Sequence, residues 1–254
     1  MSPLTICLMV LTGIFASSLL GMWLRSRLPK EHLSPETKDT VKLVVGIVGT
    51  MTGMVLGLMV ASAKSSFDGQ RGAVAQLAAN VVLLDRSLSH YGPDADEARQ
   101  ELRRSVEDMR ARIWPDQPAA PGEKTSPGLG DARYDDIYDR VLTLQPATDA
   151  QRTTHEQALK IMHDTASQRW LLYSQRGSSI PPVFLTLMVA WLALTFASFG
   201  LFAPRHATTF AVLFVGSLVV SSAVYLILEL DHPFGGLVSI SDEPLRNELG
   251  LIGK

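Results

Sequence analysis

The chain has 254 residues, 46% of them hydrophobic, and a formal net charge of -2. This near-neutral charge, without any concentrated basic patch, gives no reason to expect a nucleic-acid partner, because phosphate binding needs one. The single cysteine, Cys7, excludes an intrachain disulfide and a cysteine-rich metal cluster.

Four apolar runs of about twenty residues contain no Asp, Glu, Lys or Arg: residues 4–24, 43–63, 180–203 and 209–228. At about 1.5 Å per residue, each is long enough to cross a hydrocarbon core about 30 Å thick as a helix. The first run has no basic segment before it and is too long for a signal-peptide core, so we expect it to remain as a membrane helix. The sequence therefore predicts a multi-pass protein of the cell membrane.

The runs are paired around a polar middle, which predicts an all-α fold of four transmembrane helices with an extramembrane helical domain inserted between the second and third spans. The predicted domains are a first transmembrane hairpin (1–63), the helical domain (64–179), a second transmembrane hairpin (180–230) and a C-terminal tail (231–254). An even number of spans places both termini and the helical domain on the same side of the membrane.

The second apolar run contains an unusual stripe of glycines. The predicted pore-lining or helix-packing residues are Gly46, Gly49, Thr50, Gly53 and Gly57. Glycines at this spacing allow another helix backbone to approach closely. The stripe fits a contact within one subunit, an interface between subunits, or a pore lining, and the spacing alone does not choose. For the threonine hydroxyls we favour hydrogen bonds to their own backbone over an ion path.

Beyond this run, apolar residues recur at alternating spacings of three and four from Phe67 to Tyr91. This heptad pattern predicts that the second transmembrane helix continues out of the membrane and packs along a seam, ending at Gly92 and Pro93. We favour packing against a helix predicted over residues 151–175. A surface that binds a partner protein is the alternative.

The rest of the helical domain carries clear boundary signals. Asp94 with Glu97, and Thr148 with Gln151, have the spacing of capping boxes at helix starts. Between them, residues 115–130 are rich in proline and glycine and predict a flexible loop.

After the fourth span, apolar and polar residues alternate from Leu237 to Ser241, which predicts a short strand. In the helical domain, His155 and His163 lie eight residues apart, about 12 Å along a helix, which is too far for one metal ion to bridge. We predict no metal site and no cofactor. The chain also lacks the P-loop, HExxH and GxSxG patterns, so we do not expect an enzyme.

Two segments outside the spans resemble the bestrophin-like family. One is Ile113, Trp114 and Pro115 at the end of a predicted helix. The other is the tail motif Asp231, Pro233, Phe234 and Gly236, continued by Ile240 and Ser241. With the order of the spans and the glycine-spaced second helix that continues through Lys64 to Tyr91, the resemblance covers nearly the whole chain. It implies kinship with bestrophins, pentameric anion channels whose large cytosolic domain is built from helices that extend the membrane spans.

The resemblance implies that the second helix lines a central pore and that the helical domain and both termini are cytoplasmic. By contrast, the count of Lys and Arg near the span ends slightly favours the opposite orientation, with the short loops in the cytoplasm. Bestrophin necks carry aromatic rings, whereas residues 43–63 contain no aromatic residue, so no gate residue is carried over. The calcium clasps of bestrophins use clustered acidic residues. Asp231, Asp242 and Glu243 match that pattern only weakly.

We therefore expect a homo-oligomeric ion channel embedded in the lipid bilayer. Its expected substrates are inorganic ions, with anions the first candidates. One alternative is a stator-like or scaffold subunit that acts through a partner protein. Such a subunit needs a membrane carboxylate from its partner, because the four apolar runs contain none. Another alternative is a membrane-anchored interaction module.

Overall fold

The computed structural model describes residues 2–29, 34–114, 132–174 and 181–250. Within these ranges the chain forms eight α-helices and a 3₁₀ turn over Pro93–Ala95, and no strand. The helices are α1 (Pro3–Arg25), α2 (Pro35–Tyr91), α3 (Asp96–Ile113), α4 (Ala132–Thr143), α5 (Asp149–Ser174), α6 (Pro182–Phe202), α7 (Ala207–Leu230) and α8 (Glu243–Leu249).

The all-α prediction is confirmed. Four helices, α1, α2, α6 and α7, are long and apolar enough to cross a membrane, and the predicted spans correspond to them. The prediction that the second span continues as a helix to Tyr91 is also confirmed, since α2 is unbroken for 57 residues, about 85 Å. It stops where Gly92 takes a φ of 116°, a conformation that favours glycine.

One compact unit comprises Met1–Phe67 and Ser178–His232 and contains the four apolar segments. In it, α1 packs against α6 and α7. Ile14, Met188 and Val224 are fully buried in this unit, and the rings of Phe15 and Phe214 meet edge to face with centroids 5.5 Å apart. Close packing of this kind holds helices together in lipid, where no hydrophobic force drives one helix against another.

The backbones of α1 and α6 approach each other closely in this unit. A Cβ atom placed on Gly21 would overlap the carbonyl oxygen of Ala197, and one placed on Gly200 would overlap the carbonyl oxygen of Ser18. Both glycines are buried. The two helices therefore meet backbone to backbone at a contact that only glycine permits on each side.

The second compact unit comprises Asp68–Gly177 and Pro233–Lys254. Its core includes the predicted seam of α2, with Val74, Leu77, Leu84 and Leu88 almost fully buried. Within this seam the Asn80 amide donates to Thr165 and Gln168 of α5, both at 3.3 Å. The predicted packing of the seam against the helix over 151–175 is thus confirmed.

An ion pair joins α2 to α3 in the same unit. The Arg99 guanidinium donates to both carboxylate oxygens of Asp85, at 2.9 and 3.2 Å, and the two side chains are only 13% and 9% exposed. The hydrogen bond from Arg99 to Asp85 raises the pKa of Arg99 further above its ordinary value. This pairing keeps two charges satisfied at a nearly buried position.

Of the two predicted capping boxes, one is confirmed. The Gln151 N–H donates to Thr148 Oγ1 at 3.2 Å, and the Thr148 N–H donates to Gln151 Oε1 at 3.2 Å. The other prediction, at Asp94, is wrong. Pro93 begins a 3₁₀ turn that already contains Asp94, so the cap position of α3 falls on Ala95, which has no side-chain cap.

The predicted strand from Leu237 to Ser241 is wrong as well. The backbone there bends, the Ile240 N–H donates to Pro233 O at 2.7 Å, and Ile240 O accepts from Trp114 Nε1 at 2.7 Å. Both backbone polar groups of Ile240 are thus used without a neighbouring strand. The predicted flexible loop at 115–130 lies outside the described residues, as do residues 175–180 between α5 and α6.

Candidate functional site

The membrane part of α2 has two unlike faces. On one face, Thr52, Met59 and Ala63 are buried and Val45 and Val48 are half-buried, at the three- and four-residue spacing of one helix side. Large apolar residues that are mostly exposed flank the opposite face, including Ile47, Met54 and Leu58. The helix is therefore packed into its own subunit on one side only.

The glycine stripe lies on the open face. Gly46, Gly53 and Gly57 are exposed and Gly49 is half-buried. A Cβ atom built on any of these four would meet no described atom within 4 Å. Among the described residues, none of these four glycines therefore meets another helix as closely as Gly21 does, and their role as a subunit interface or a pore lining stays a prediction.

The threonine hydroxyls beside the stripe bond to their own helix, as we favoured from the sequence. Thr50 Oγ1 donates to Ile47 O at 2.8 Å, and Thr52 Oγ1 donates to Val48 O at 2.7 Å. Thr52 is buried in the packed face, whereas Thr50 is exposed beside the glycines. The Thr50 oxygen keeps lone pairs after donating its proton, so it presents a polar group on the open face.

A basic residue ends the stripe. Lys64 follows Gly46 by 18 residues, which is about five helical turns, so both lie at the same angle around α2. The Lys64 side chain is exposed, and its ammonium lies 5.7 Å from the centre of the Phe67 ring. The open face thus runs from small apolar positions in the span to a cation just beyond it.

The two family-like segments, distant in sequence, meet in the second unit. Trp114 Nε1 donates to Ile240 O at 2.7 Å, and the Trp114 and Phe234 rings pack edge to face with centroids 5.7 Å apart. Gly236 has a φ of 100°, which favours glycine and turns the chain back toward the tryptophan. The end of α3 and the tail motif therefore form one structural element.

An ion pair holds the following part of the tail. Arg110 Nε donates to Asp242 Oδ2 at 2.6 Å, and Ser241 Oγ accepts the Glu243 N–H at 3.1 Å as α8 begins. Leu245 in α8 is fully buried. We call this contact between the end of α3 and residues 233–245 the tail clasp.

A protein-family model for the bestrophin-like domain matches residues 12–245. The chain belongs to the bestrophin-like family. The matched region includes the glycine stripe and the whole of the tail clasp. No curated protein sequence matches significantly.

Solved structures of bacterial bestrophin homologues share the fold of this bestrophin-like protein. A tryptophan-to-alanine mutant of the homologue from Klebsiella pneumoniae superposes with a TM-score of 0.68 at 16% identity, covering 99% of this chain and 96% of that one. A leucine-to-threonine mutant of the same homologue gives 0.66 at 14% identity, covering 98% and 99%. A proline-to-alanine mutant described as a membrane protein gives 0.65 at 14% identity, with the same coverage.

In this bestrophin-like protein the acids near the tail motif have different bonding partners. Asp242 pairs with Arg110, while the backbone of Asp231 closes α7, its N–H bonding to Ile227 O and Glu229 O. Across the described part of the chain, no group of three or more His, Cys, Asp or Glu side chains is placed to hold a metal ion. His155 instead bonds through Nε2 to Val141 O at 2.7 Å.

Sequence reasoning missed Arg110 and the Gly21–Gly200 contact. A signal for the glycine contact was present, because Gly13, Ser17 and Gly21 follow one another at four-residue spacing in α1. Arg110 gave no signal, because a single arginine on a polar helix is usually a solvent-exposed residue.

Proposed function

We propose that this bestrophin-like protein is a homo-oligomeric ion channel of the cell membrane, with α2 of each subunit lining a central pore through its glycine stripe. The observation that carries the proposal is that the stripe packs against nothing described in its own subunit, while the opposite face of α2 is buried. The family relationship to bestrophins supports the same assignment.

The glycines themselves argue for a function at this face. A glycine in a helix interior costs about 1 kcal/mol relative to alanine, and a surface that faced only lipid would have no use for four of them. Glycine leaves the space beside the helix open and exposes backbone carbonyl edges. Both properties suit helices that converge around a narrow axis.

We further propose that the channel passes anions. In a symmetric ring, Lys64 would repeat once per subunit at the end of the pore-lining face. A ring of ammonium groups attracts anions and repels cations. The bestrophin kinship implies the same ion class, and it also implies that the helical domain and both termini face the cytoplasm.

Purified protein in planar bilayers tests the channel directly. We expect single-channel currents under a chloride gradient, with a reversal potential close to that of chloride. Gly53→Leu should lower the conductance by filling the axis, whereas Val212→Leu, at a 67% exposed position of α7, should leave it unchanged. Silence of the unaltered protein with both anions and cations would refute the proposal.

Lys64→Glu tests the ion class separately. It reverses the charge of the proposed ring, so we expect the reversal potential to move toward that of the cation. Lys64→Arg is the matched control and should keep the anion preference. An unchanged reversal potential in Lys64→Glu would remove Lys64 from the pore while leaving the channel itself in place.

A partner-dependent subunit is the second candidate, because no Asp, Glu, Lys, Arg or His side chain lies in the four apolar runs to move protons. Such a protein would copurify with a second membrane protein after mild detergent extraction. It would also be silent alone in bilayers and active only when that second protein is present.

A further inference from the structure

A long groove separates α2 from α6 in the membrane unit, and Gly46 is the one glycine of the stripe that lines it. It consists of two adjoining cavities of about 450 and 430 Å³ that share Val45 and Ser198 in their walls. Each volume falls within the range of small-molecule sites. From Lys38 at one end to Met51 at the other, the groove follows fourteen residues of α2, about 20 Å.

The chemistry of the groove changes along its length. Lys38 and Lys42 stand at the mouth. Phe199 and Phe202 line the part below them, and Trp191 lines the deep part. A cationic mouth above an apolar channel matches a ligand with an anionic head and a hydrocarbon tail.

The cations at the mouth are available to such a ligand. Lys38 is half-buried and forms no ion pair with any residue in the ranges that the structure describes. Lys42 pairs with Asp39 at 3.4 Å, but both side chains are more than half exposed, so the pair is weak and screened by water. A phosphate group placed between the two lysines would form stronger charge interactions with them than either lysine now forms within the chain.

The dimensions point to a lipid rather than a soluble molecule. The groove begins at the two lysines beside the span and continues to Met51, eight residues and about 12 Å beyond Leu43. That depth is most of the hydrocarbon half-thickness of about 15 Å that one acyl chain occupies. Basic sites between membrane helices on the cytoplasmic side bind anionic headgroups, and Lys38 and Lys42 offer the same charge at the edge that the proposed orientation places opposite the helical domain. The surrounding bilayer supplies such a ligand at high local concentration.

We propose that the groove between α2 and α6 binds one anionic phospholipid, with its phosphate at Lys38 and Lys42 and an acyl chain against Phe202, Val45 and Trp191. The groove reaches Val45 and Val48 on the packed side of α2 and Gly46 at the start of the stripe, so a bound lipid would contact the helix that lines the proposed pore. Binding itself does not depend on the channel function.

Trp191 provides the probe, because bromine on an acyl chain quenches a tryptophan that it touches. The background variant carries Trp23→Phe, which leaves Trp191 as the one tryptophan of the four apolar runs. The protein is reconstituted in mixtures of phosphatidylglycerol and phosphatidylcholine in which only one of the two is brominated. Reversing the label compares the two headgroups at the same site.

We expect brominated phosphatidylglycerol to quench Trp191 with an association constant about tenfold above that of brominated phosphatidylcholine, because two lysines near the headgroup favour the anionic lipid. Replacing Lys38 and Lys42 together by Gln should remove that preference while leaving quenching by both lipids. Lys64→Gln, which removes one charge elsewhere on α2, should retain the preference.

Equal quenching by both headgroups in the background variant would show ordinary lipid contact and overturn the proposal. Absence of quenching by either lipid would show that a second copy of the chain or another protein covers the groove, which also overturns it. A headgroup preference that survives the double lysine substitution would place the anionic site elsewhere. Bilayer currents decide the channel function separately, since they are measured whether or not the headgroup preference appears.

Discussion

Gly21 and Gly200 decide how closely α1 and α6 pack. Replacing either by alanine should lower stability, whereas Gly→Ala in a helix usually raises it. In most helix interiors Gly→Ala stabilises, because alanine has a helix propensity higher by about 1 kcal/mol. At Gly21 the new methyl group would overlap the backbone oxygen of Ala197, which cannot move without shifting α6.

We therefore expect Gly21→Ala to destabilise the detergent-solubilised protein by about 1–3 kcal/mol, the usual cost of overpacking. Gly13→Ala, in the same helix with no described atom within 4 Å of the new methyl group, should be neutral or stabilising. Thermal unfolding of both variants measures the difference. A melting temperature for Gly21→Ala equal to that of Gly13→Ala would show that the two backbones do not meet there.

The Asp85–Arg99 pair provides a second residue-level prediction. Asp85→Asn removes the charge opposite a guanidinium that is only 13% exposed, and breaking a buried pair costs about 3 kcal/mol. Asp96→Asn is the control, since Asp96 contacts the same Arg99 at 3.7 Å but is 60% exposed, and exposed pairs contribute less than about 1 kcal/mol. The melting temperature should therefore fall further in Asp85→Asn than in Asp96→Asn. Equal values would mean that water reaches Arg99.

At the scale of elements, the tail clasp depends on one indole. Trp114→Phe keeps an aromatic ring against Phe234 but removes the N–H that Ile240 O accepts. An unmade hydrogen bond at a part-buried carbonyl costs about 1–2 kcal/mol. Local opening of residues 233–245 should then become roughly tenfold more frequent.

Hydrogen exchange measures that opening through the Ile240 amide, which is bonded to Pro233 O. We expect its exchange to accelerate in Trp114→Phe, with α5 unchanged. Trp170→Phe, at a 57% exposed site, is the matched control and should leave the tail unaffected. Unchanged exchange at Ile240 in Trp114→Phe would mean that Arg110 and Leu245 hold the tail without the tryptophan.

At the scale of the whole molecule, the proposed oligomer places neighbouring subunits against the open face of α2. In a background in which Cys7 is replaced by Ala, Gly53→Cys places a thiol on the glycine stripe. If α2 helices surround an axis, oxidation should link neighbouring subunits into covalent dimers in native membranes. Val212→Cys, at an exposed position of α7, should not cross-link. Monomers for both variants under oxidising conditions would place the stripe against lipid or another protein.

The sequence by itself determined the membrane class, the four spans and the unbroken second helix, because these depend on local composition. A charge-free run of twenty residues must satisfy its backbone inside the hydrocarbon core as a helix, whatever surrounds it. The Thr148–Gln151 cap and the seam from Phe67 to Tyr91 were predictable for a similar reason, since both are patterns within one helix or at its end.

Only the tertiary structure decided which glycines pack and which remain open. The same small-residue spacing occurs in α1 and α2, yet Gly21 meets a backbone whereas Gly53 meets nothing described. The difference lies in the partner helix, about 180 residues away in sequence, and spacing contains no information about that partner. The failed strand at Leu237–Ser241 has the same cause, because Trp114 uses the carbonyl that a sheet would have needed.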